Sequence, residues 1–376
     1  MRNWLIIIHF VLVSSLSAHA FAQRDMEYFR AEVPVSSQDS KERRNAAKLG
    51  LEDVIIRVSG SGQTLQSAEL KSRINNAISY VEQFRYLPLD DEKQRAAGKR
   101  ELLSLTFSPE VVKKLLLETQ QPYWPVNRPK TLVWLVEDSS EEGRHLVNNQ
   151  SVESLQVIEG LQHTALTRGV PLIFPLLDLD DQLALDADDV WMFDEEKIAE
   201  ASLRYNADVI LVGRYSSTSK GEIWGTWQYF HAGSSQVYDT RSKMDEEEGY
   251  LTLGDEVLNP LADFLAARYA IIPTGESQAK LVMQIANIHN FGDYYRSLDY
   301  LQRLAAIARV DLVAIRQDTM LLYLDAESSV DRLVSVLALD GKMQPKVVAA
   351  ASNEIPVWQQ MPLGSFENPL NYSWVN

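Results

Sequence analysis

The first 22 residues read as an export signal, and that address constrains the rest of the chain more than any other feature. Arg2 gives a basic start, Trp4 to Val13 is apolar, and Ala20-Phe21-Ala22 supplies a small-x-small cleavage pattern before Gln23. The expectation is a soluble periplasmic protein of a Gram-negative cell, cut near Ala22, with an uncleaved N-terminal anchor as the alternative. Cysteine is absent, so in an oxidising compartment the fold has to stand on its core without disulfides. After the signal no stretch reaches the roughly 20 apolar residues of a membrane helix. A chain of this length suggests two or three domains.

Composition narrows the partners. With 45% apolar and 23% charged residues the chain belongs to the globular class. Losing Arg2 with the signal takes the net charge from −16 to −17. An acidic surface disfavours nucleic acid and anionic lipid. The periplasm holds no nucleotide pool, and no cofactor is expected. Nor is there a phosphate loop: Val136-Glu137-Asp138-Ser139-Ser140-Glu141-Glu142 puts carboxylates where a glycine-rich turn would hold phosphate.

Periodicity predicts α/β and α+β architecture in several modules. A small N-terminal α+β sandwich spans 23–125. In it Ala47, Leu51, Val54, Ile55 and Val58 fall at helical spacing before Gly60, strands are expected over 79–87 and 100–107, and Ser108-Pro109 opens a last helix. A central α/β module with a mixed sheet spans 130–272. Its strands are expected at 132–137, 170–176, 208–215, 222–231 and 235–240, with helices at 152–168, 194–205 and 254–269. A ferredoxin-like βαββαβ module spans 277–350, and residues 351–376 read as a flexible tail.

The runs Ala46-Ala47-Lys48-Leu49-Gly50-Leu51, Val54-Ile55-Ile56-Arg57-Val58-Ser59-Gly60 and Tyr80 to Tyr86 carry a resemblance. So do Trp124 with Arg128-Pro129, and Leu132-Val133-Trp134-Leu135. Together they resemble an uncharacterised secreted Gram-negative family, domain of unknown function 2066. The likeness extends more weakly through Gly169 to Leu172 and Ala207 to Arg214. It implies an envelope location and transfers no catalytic residue.

Candidate chemistry is sparse. Past the signal the histidines are His145, His163, His231 and His289, at no zinc spacing. The acidic run Asp178, Asp180, Asp181, Asp186, Asp188 and Asp189 reads either as solvated helix caps or as a calcium loop lacking its glycine turn. Ser217 with Lys220, and Ser277 with Lys280, match a Ser-x-x-Lys spacing without a Lys-Thr-Gly partner, so no catalytic residue is assigned. What remains is aromatic. Trp224, Thr226, Gln228 and Phe230 share one face of a strand, and Ile223, Gly225, Trp227 and Tyr229 share the other. Two helix-covered faces are one reading. The other is a groove for glycan or protein, with Trp224 or Trp227 as anchors and Arg214 as hydrogen-bond donor. Trp124 and Arg128 sit at the first module junction, as a hinge or an exposed anchor.

These features favour a non-enzymatic periplasmic accessory or adaptor protein that binds an envelope protein or a peptidoglycan component. The alternatives are a cell-envelope hydrolase or transferase whose site assembles between modules, and a periplasmic small-ligand binding protein.

Overall fold

The computed structural model describes residues 27–151, 154–218, 221–243, 249–272, 280–339, 341–346 and 361–375. The segment read as an export signal with its expected cleavage site, Lys220, Ser277 and tail residues 351–360 lie outside them. The chain forms an α/β and α+β fold with three sheets. It divides into two compact units. One takes the described residues up to Val126 with Leu166–Gly169, and the other takes Asn127–Ala165 and the described residues from Val170 onward. Among the described residues no helix is long and apolar enough to cross a membrane.

In the first unit β1 (Arg30–Val35), β2 (Val81–Pro88) and β3 (Glu101–Phe107) form an antiparallel sheet in the order β1-β3-β2. Helix α1 (Ser40–Ser59) starts where Asp39 accepts hydrogen bonds from the Lys41 and Glu42 amides, and it ends at Gly60 in the left-handed conformation. Ala47, Leu51, Val54, Ile55 and Val58 are buried, as their spacing predicts. Three short helices complete the unit, α2 (Ala68–Ile74), α3 (Glu92–Ala96) and α4 (Pro109–Glu118), the last with its proline in the first turn.

The second unit holds two sheets. In the first of them β4 (Thr131–Ser139) and β7 (Val209–Ser217) run parallel at the centre. The antiparallel partners are β5 (Gly143–Val147) on one side and β8 (Glu222–His231) then β9 (Ser234–Lys243) on the other. The strand expected over 170–176 shrinks to β6 (Leu172–Ile173), because only these two residues pair with β4. Helices α5 (Leu155–Arg168) and α9 (Gly249–Tyr269) cover one face. They approach backbone to backbone, since a Cβ on Gly160 would stand 2.0 Å from the Tyr250 carbonyl oxygen. On the other face α6 (Leu179–Ala184) with the following Leu185, α7 (Ala187–Trp191) and α8 (Glu195–Ser202) cover the sheet, and Leu185, Val190, Ile198 and Ala201 form a core with Leu132, Trp134, Val136 and Val212.

The remaining sheet contains the expected βαββαβ series: β10 (Leu281–Ala286), α10 (Phe291–Arg303), β11 (Ile307–Arg316), β12 (Thr319–Ala326), α11 (Val330–Leu337) and β13 (Met343–Pro345). The tail corrects the sequence reading. Residues Leu370–Trp374 form β14, which lies between β10 and β13, parallel to the first and antiparallel to the second. The sheet order is therefore β11-β12-β10-β14-β13. Leu370, Tyr372 and Trp374 alternate into the core, a period-2 pattern masked in sequence by the prolines before it. Ending the chain after Pro369 is expected to leave β10 and β13 without their shared partner. Hydrogen exchange at residues 281–286 should then lose protection, while residues 30–58 of the first unit keep theirs.

His231 closes β8 against the end of α9. Its Nδ1 donates to the Asp208 carbonyl at 2.7 Å, so Nε2 accepts from the Tyr269 hydroxyl at 2.7 Å. Burial, opposed by the Asp208 carbonyl, holds its pKa below the ordinary 6.5. The unfolded chain therefore takes up a proton that the folded one resists. This contribution is intact above pH 6.5 and is lost as pH falls through the lowered folded value. Denaturant unfolding of the second unit between pH 7 and 5 should show falling stability. His231→Asn should be less stable at pH 7 and have a shallower slope.

Candidate functional site

The hairpin between β8 and β9 sets the site. Ala232 and Gly233 both have positive φ, 48° and 79°, and make a two-residue turn that pairs His231 with Ser234. Counting back along this register places Arg241 opposite Trp224 and Asp239 opposite Thr226. Continued through β7, β4 and β5, the pairing puts Arg144, Asp138, Ser216, Trp224 and Arg241 in one row across the sheet. This row lies at the carboxyl ends of the parallel strands β4 and β7, where open α/β sheets place their ligand crevices.

The two faces of β8 have different fates. On one, the Trp227 ring lies against Gly213 and Gly225, where a Cβ would come within 2.2 Å and 2.7 Å of the indole, and its Nε1 donates to Thr240 Oγ1 at 2.9 Å. Trp227 is completely buried there, beneath the α5 and α9 layer. The opposite face is covered in its second half, where Gln228 is buried and Phe230 packs on the core of α7 and α8. Its first half is open, and Trp224 is 49% exposed.

That open half is a groove of about 610 Å³ lined by Trp191, Arg214, Ser216, Trp224, Thr226 and Arg241 among others. Its cations lie on aromatic rings, Arg241 4.4 Å from the centre of Trp224 and Arg214 4.8 Å from Phe193, and the neighbouring Arg144 stacks 4.5 Å from Trp191. Arg241 also pairs with Glu222 Oε2 at 3.0 Å, and this guanidinium, followed by the Trp224 indole, lowers the Glu222 pKa. Arg144 pairs with Asp188 at 2.9 Å, which raises the guanidinium pKa. Arg214 differs. It donates to the Trp191 carbonyl at 2.7 Å and stacks on rings, and no carboxylate stands among its described partners.

Of the residues singled out in sequence, the structure brings Trp224 and Arg214 into this groove and puts Trp227 behind it, on the far side of the sheet. Trp124 and Arg128 are both buried, 1% and 5% exposed, and neither lines the groove. Sequence reasoning missed Trp191, Arg241 and Arg144. A two-residue turn at Ala232-Gly233 was the available signal for Arg241. Trp191 and Arg144 come from a five-residue helix and a short edge strand, neither long enough to show a period.

The acidic run is built into helix starts. Asp178 accepts from the Asp181 amide and pairs with Arg204, whose guanidinium lowers its pKa to about 2. Asp181 is wholly buried and accepts from Arg204, the Tyr205 hydroxyl and the Leu177 amide. Asp186 and Asp189 form a capping box, and Asp194 caps α8. Among the described residues no group of three or more acidic or histidine side chains is arranged to hold a metal ion.

Comparison with known proteins corrects the family resemblance. Residues 22–125 match a different family, Domain of unknown function (DUF8605), rather than domain of unknown function 2066. The runs up to Trp124 lie inside that match, whereas Arg128 and everything after it lie outside. No curated protein matches the chain. Among solved structures, the lipoprotein GNA1162 from Neisseria meningitidis is 14% identical, with a TM-score of 0.22, over 36% of this chain and 99% of that one. An uncharacterized protein is 12% identical, with a TM-score of 0.17, over 38% of this chain and 91% of its own. A competence-damaged protein (CinA) superfamily member from Enterobacter cloacae is 13% identical, with a TM-score of 0.17, over 40% and 82%. Likenesses this distant carry no argument about the site.

The two tryptophans of β8 make opposite predictions. Trp227→Ala should destabilise the second unit by about 3–5 kcal/mol through lost burial and a cavity. Trp224→Ala should change stability by about 1 kcal/mol or less, because that ring is half in solvent. Chemical unfolding of both variants checks this.

Proposed function

We propose that the protein is a non-enzymatic envelope accessory protein that holds a carboxylate-bearing partner, an envelope protein or a cell-wall component, in the arginine–tryptophan groove. The observation that carries this reading is Arg214, which lines the groove and has no carboxylate among its described partners, the Asp239 carboxylate of the same groove being hydrogen-bonded to Thr226. Trp224 and Arg241 beside it offer the flat apolar and cationic surfaces typical of binding hot spots. Guanidinium groups held on aromatic faces are already oriented, so a partner carboxylate would meet them with little loss of side-chain freedom. Because the chain as a whole is acidic, a carboxylate partner would be held by this local cluster of guanidinium groups and not by the overall charge.

Soluble peptidoglycan fragments and acidic peptides are the probes, each compared with its carboxamide form by tryptophan fluorescence titration. Binding is expected for one probe class, at least tenfold weaker once its carboxylates are amidated. Trp224→Ala and Arg241→Ala should each weaken it by a similar factor, about 1.4 kcal/mol, while the protein stays folded under the titration conditions. Equal binding of acid and amide forms, or binding unaffected by both substitutions, would refute the reading.

A further inference from the structure

On the face of the sheet opposite the groove, a second concavity surrounds a buried carboxylate. Glu137, near the carboxyl end of β4, is 7% exposed. It accepts hydrogen bonds from Ser154 Oγ at 2.5 Å and the Tyr215 hydroxyl at 3.2 Å, both on Oε2, and from Ser217 Oγ at 3.1 Å on Oε1. Ser154 immediately precedes α5, and Tyr215 and Ser217 alternate onto the same face of β7. Burial, and then the neighbouring Glu137 charge, raise the Tyr215 pKa, so this phenol keeps its proton. His145 Nε2 stands 3.9 Å from Oε2.

The hydrogen-bond inventory decides what this arrangement can bind. A hydroxyl has one hydrogen and two acceptor lone pairs. Each of the three hydroxyls spends its hydrogen on Glu137, so toward the cavity they offer only acceptors, as does the carboxylate. The cavity next to them measures about 110 Å³ and is walled in part by Val157 and Ile223. That is several times the roughly 10–15 Å³ that a single water needs, and more than a bare ion fills. With one carboxylate, the neutral hydroxyl oxygens and the uncharged Gln156 in its lining, the site matches a single positive charge rather than a divalent cation, which gathers several carboxylates.

We infer that this cavity binds a primary ammonium group on a short alkyl stem, the three N–H donors meeting Glu137 and the hydroxyl oxygens while the stem lies against Val157 and Ile223. Such a group occurs on lysine-like side chains and on small free amines. The site is separate from the arginine–tryptophan groove, so either proposal can fail alone.

The test uses the full exported chain and amide NMR shifts, with propylammonium chloride as probe at pH 8. Propan-1-ol serves as the neutral control and potassium chloride as the ionic one. Saturable shifts are expected at the amides of Ser154, Tyr215 and Gly221 with propylammonium alone. Glu137→Gln, which preserves shape and acceptor oxygen, should weaken binding at least tenfold. Ser217→Ala, at the exposed mouth, should weaken it severalfold and guards against misfolding of the first variant. Trp224→Ala should leave it unchanged. The inference is overturned if no shift saturates, if propan-1-ol binds equally, if potassium displaces the probe at equal concentration, or if folded Glu137→Gln binds as wild type.

Discussion

The second unit's main sheet depends on where one indole can go. Trp227 fits only because Gly213 and Gly225 leave its ring room against the strands, and Thr240 satisfies the one polar atom it carries into the core. Side chains alternate along a strand, so burying Trp227 on one face commits Trp224 to the other. A slip of one residue would exchange the two rings and bury an indole where no glycine makes space. The two-residue turn at Ala232-Gly233 prevents that slip by pairing His231 with Ser234. Packing on the hidden face thus sets the chemistry of the visible one.

The parallel pair β4 and β7 then distributes two different environments to the two sides of one sheet end. Ser216 lines the arginine–tryptophan groove and Asp138 shares its face of the sheet, whereas Glu137 and Tyr215 lie on the face covered by α5. Adjacent residues of the same strands therefore serve surfaces of opposite character. One side presents guanidinium donors on aromatic rings, and the other presents oxygen acceptors around a carboxylate. Complementary ligands follow from these two inventories, a carboxylate on the first side and a cation on the second.

Much of this architecture was legible from local chemistry. Asp39 and Gly60 mark the ends of α1, Ser108-Pro109 marks the start of α4, and the apolar spacing of Leu298, Leu301, Leu333 and Leu337 marks the helices of the βαββαβ series. Elements that failed to show are those whose existence depends on distant partners. The two-residue β6 exists because β4 runs beside it, and β14 because an interval between β10 and β13 receives it. Site residues divide in the same way. Trp224 and Arg214 announce themselves by type and alternation. Glu137 looked like an obstacle to phosphate binding, because sequence shows a carboxylate but not the three hydroxyls, one just before α5 and two on β7, that converge on it.

The placement of β14 also bears on how the third sheet can form. Its two neighbours, β10 and β13, both precede it in the chain, yet neither pairs with the other. As the chain is synthesised from its N-terminal end, β10 to β13 emerge first and face each other across an empty lane. The long-range closure with β10 is entropically costly and comes last. Until then two strand edges stay open inside the sheet, each a template for a foreign strand. The interval before residue 370 arrives is the time when this module is most exposed to mispairing, and a holdase acting on the unfinished chain would be of most use then.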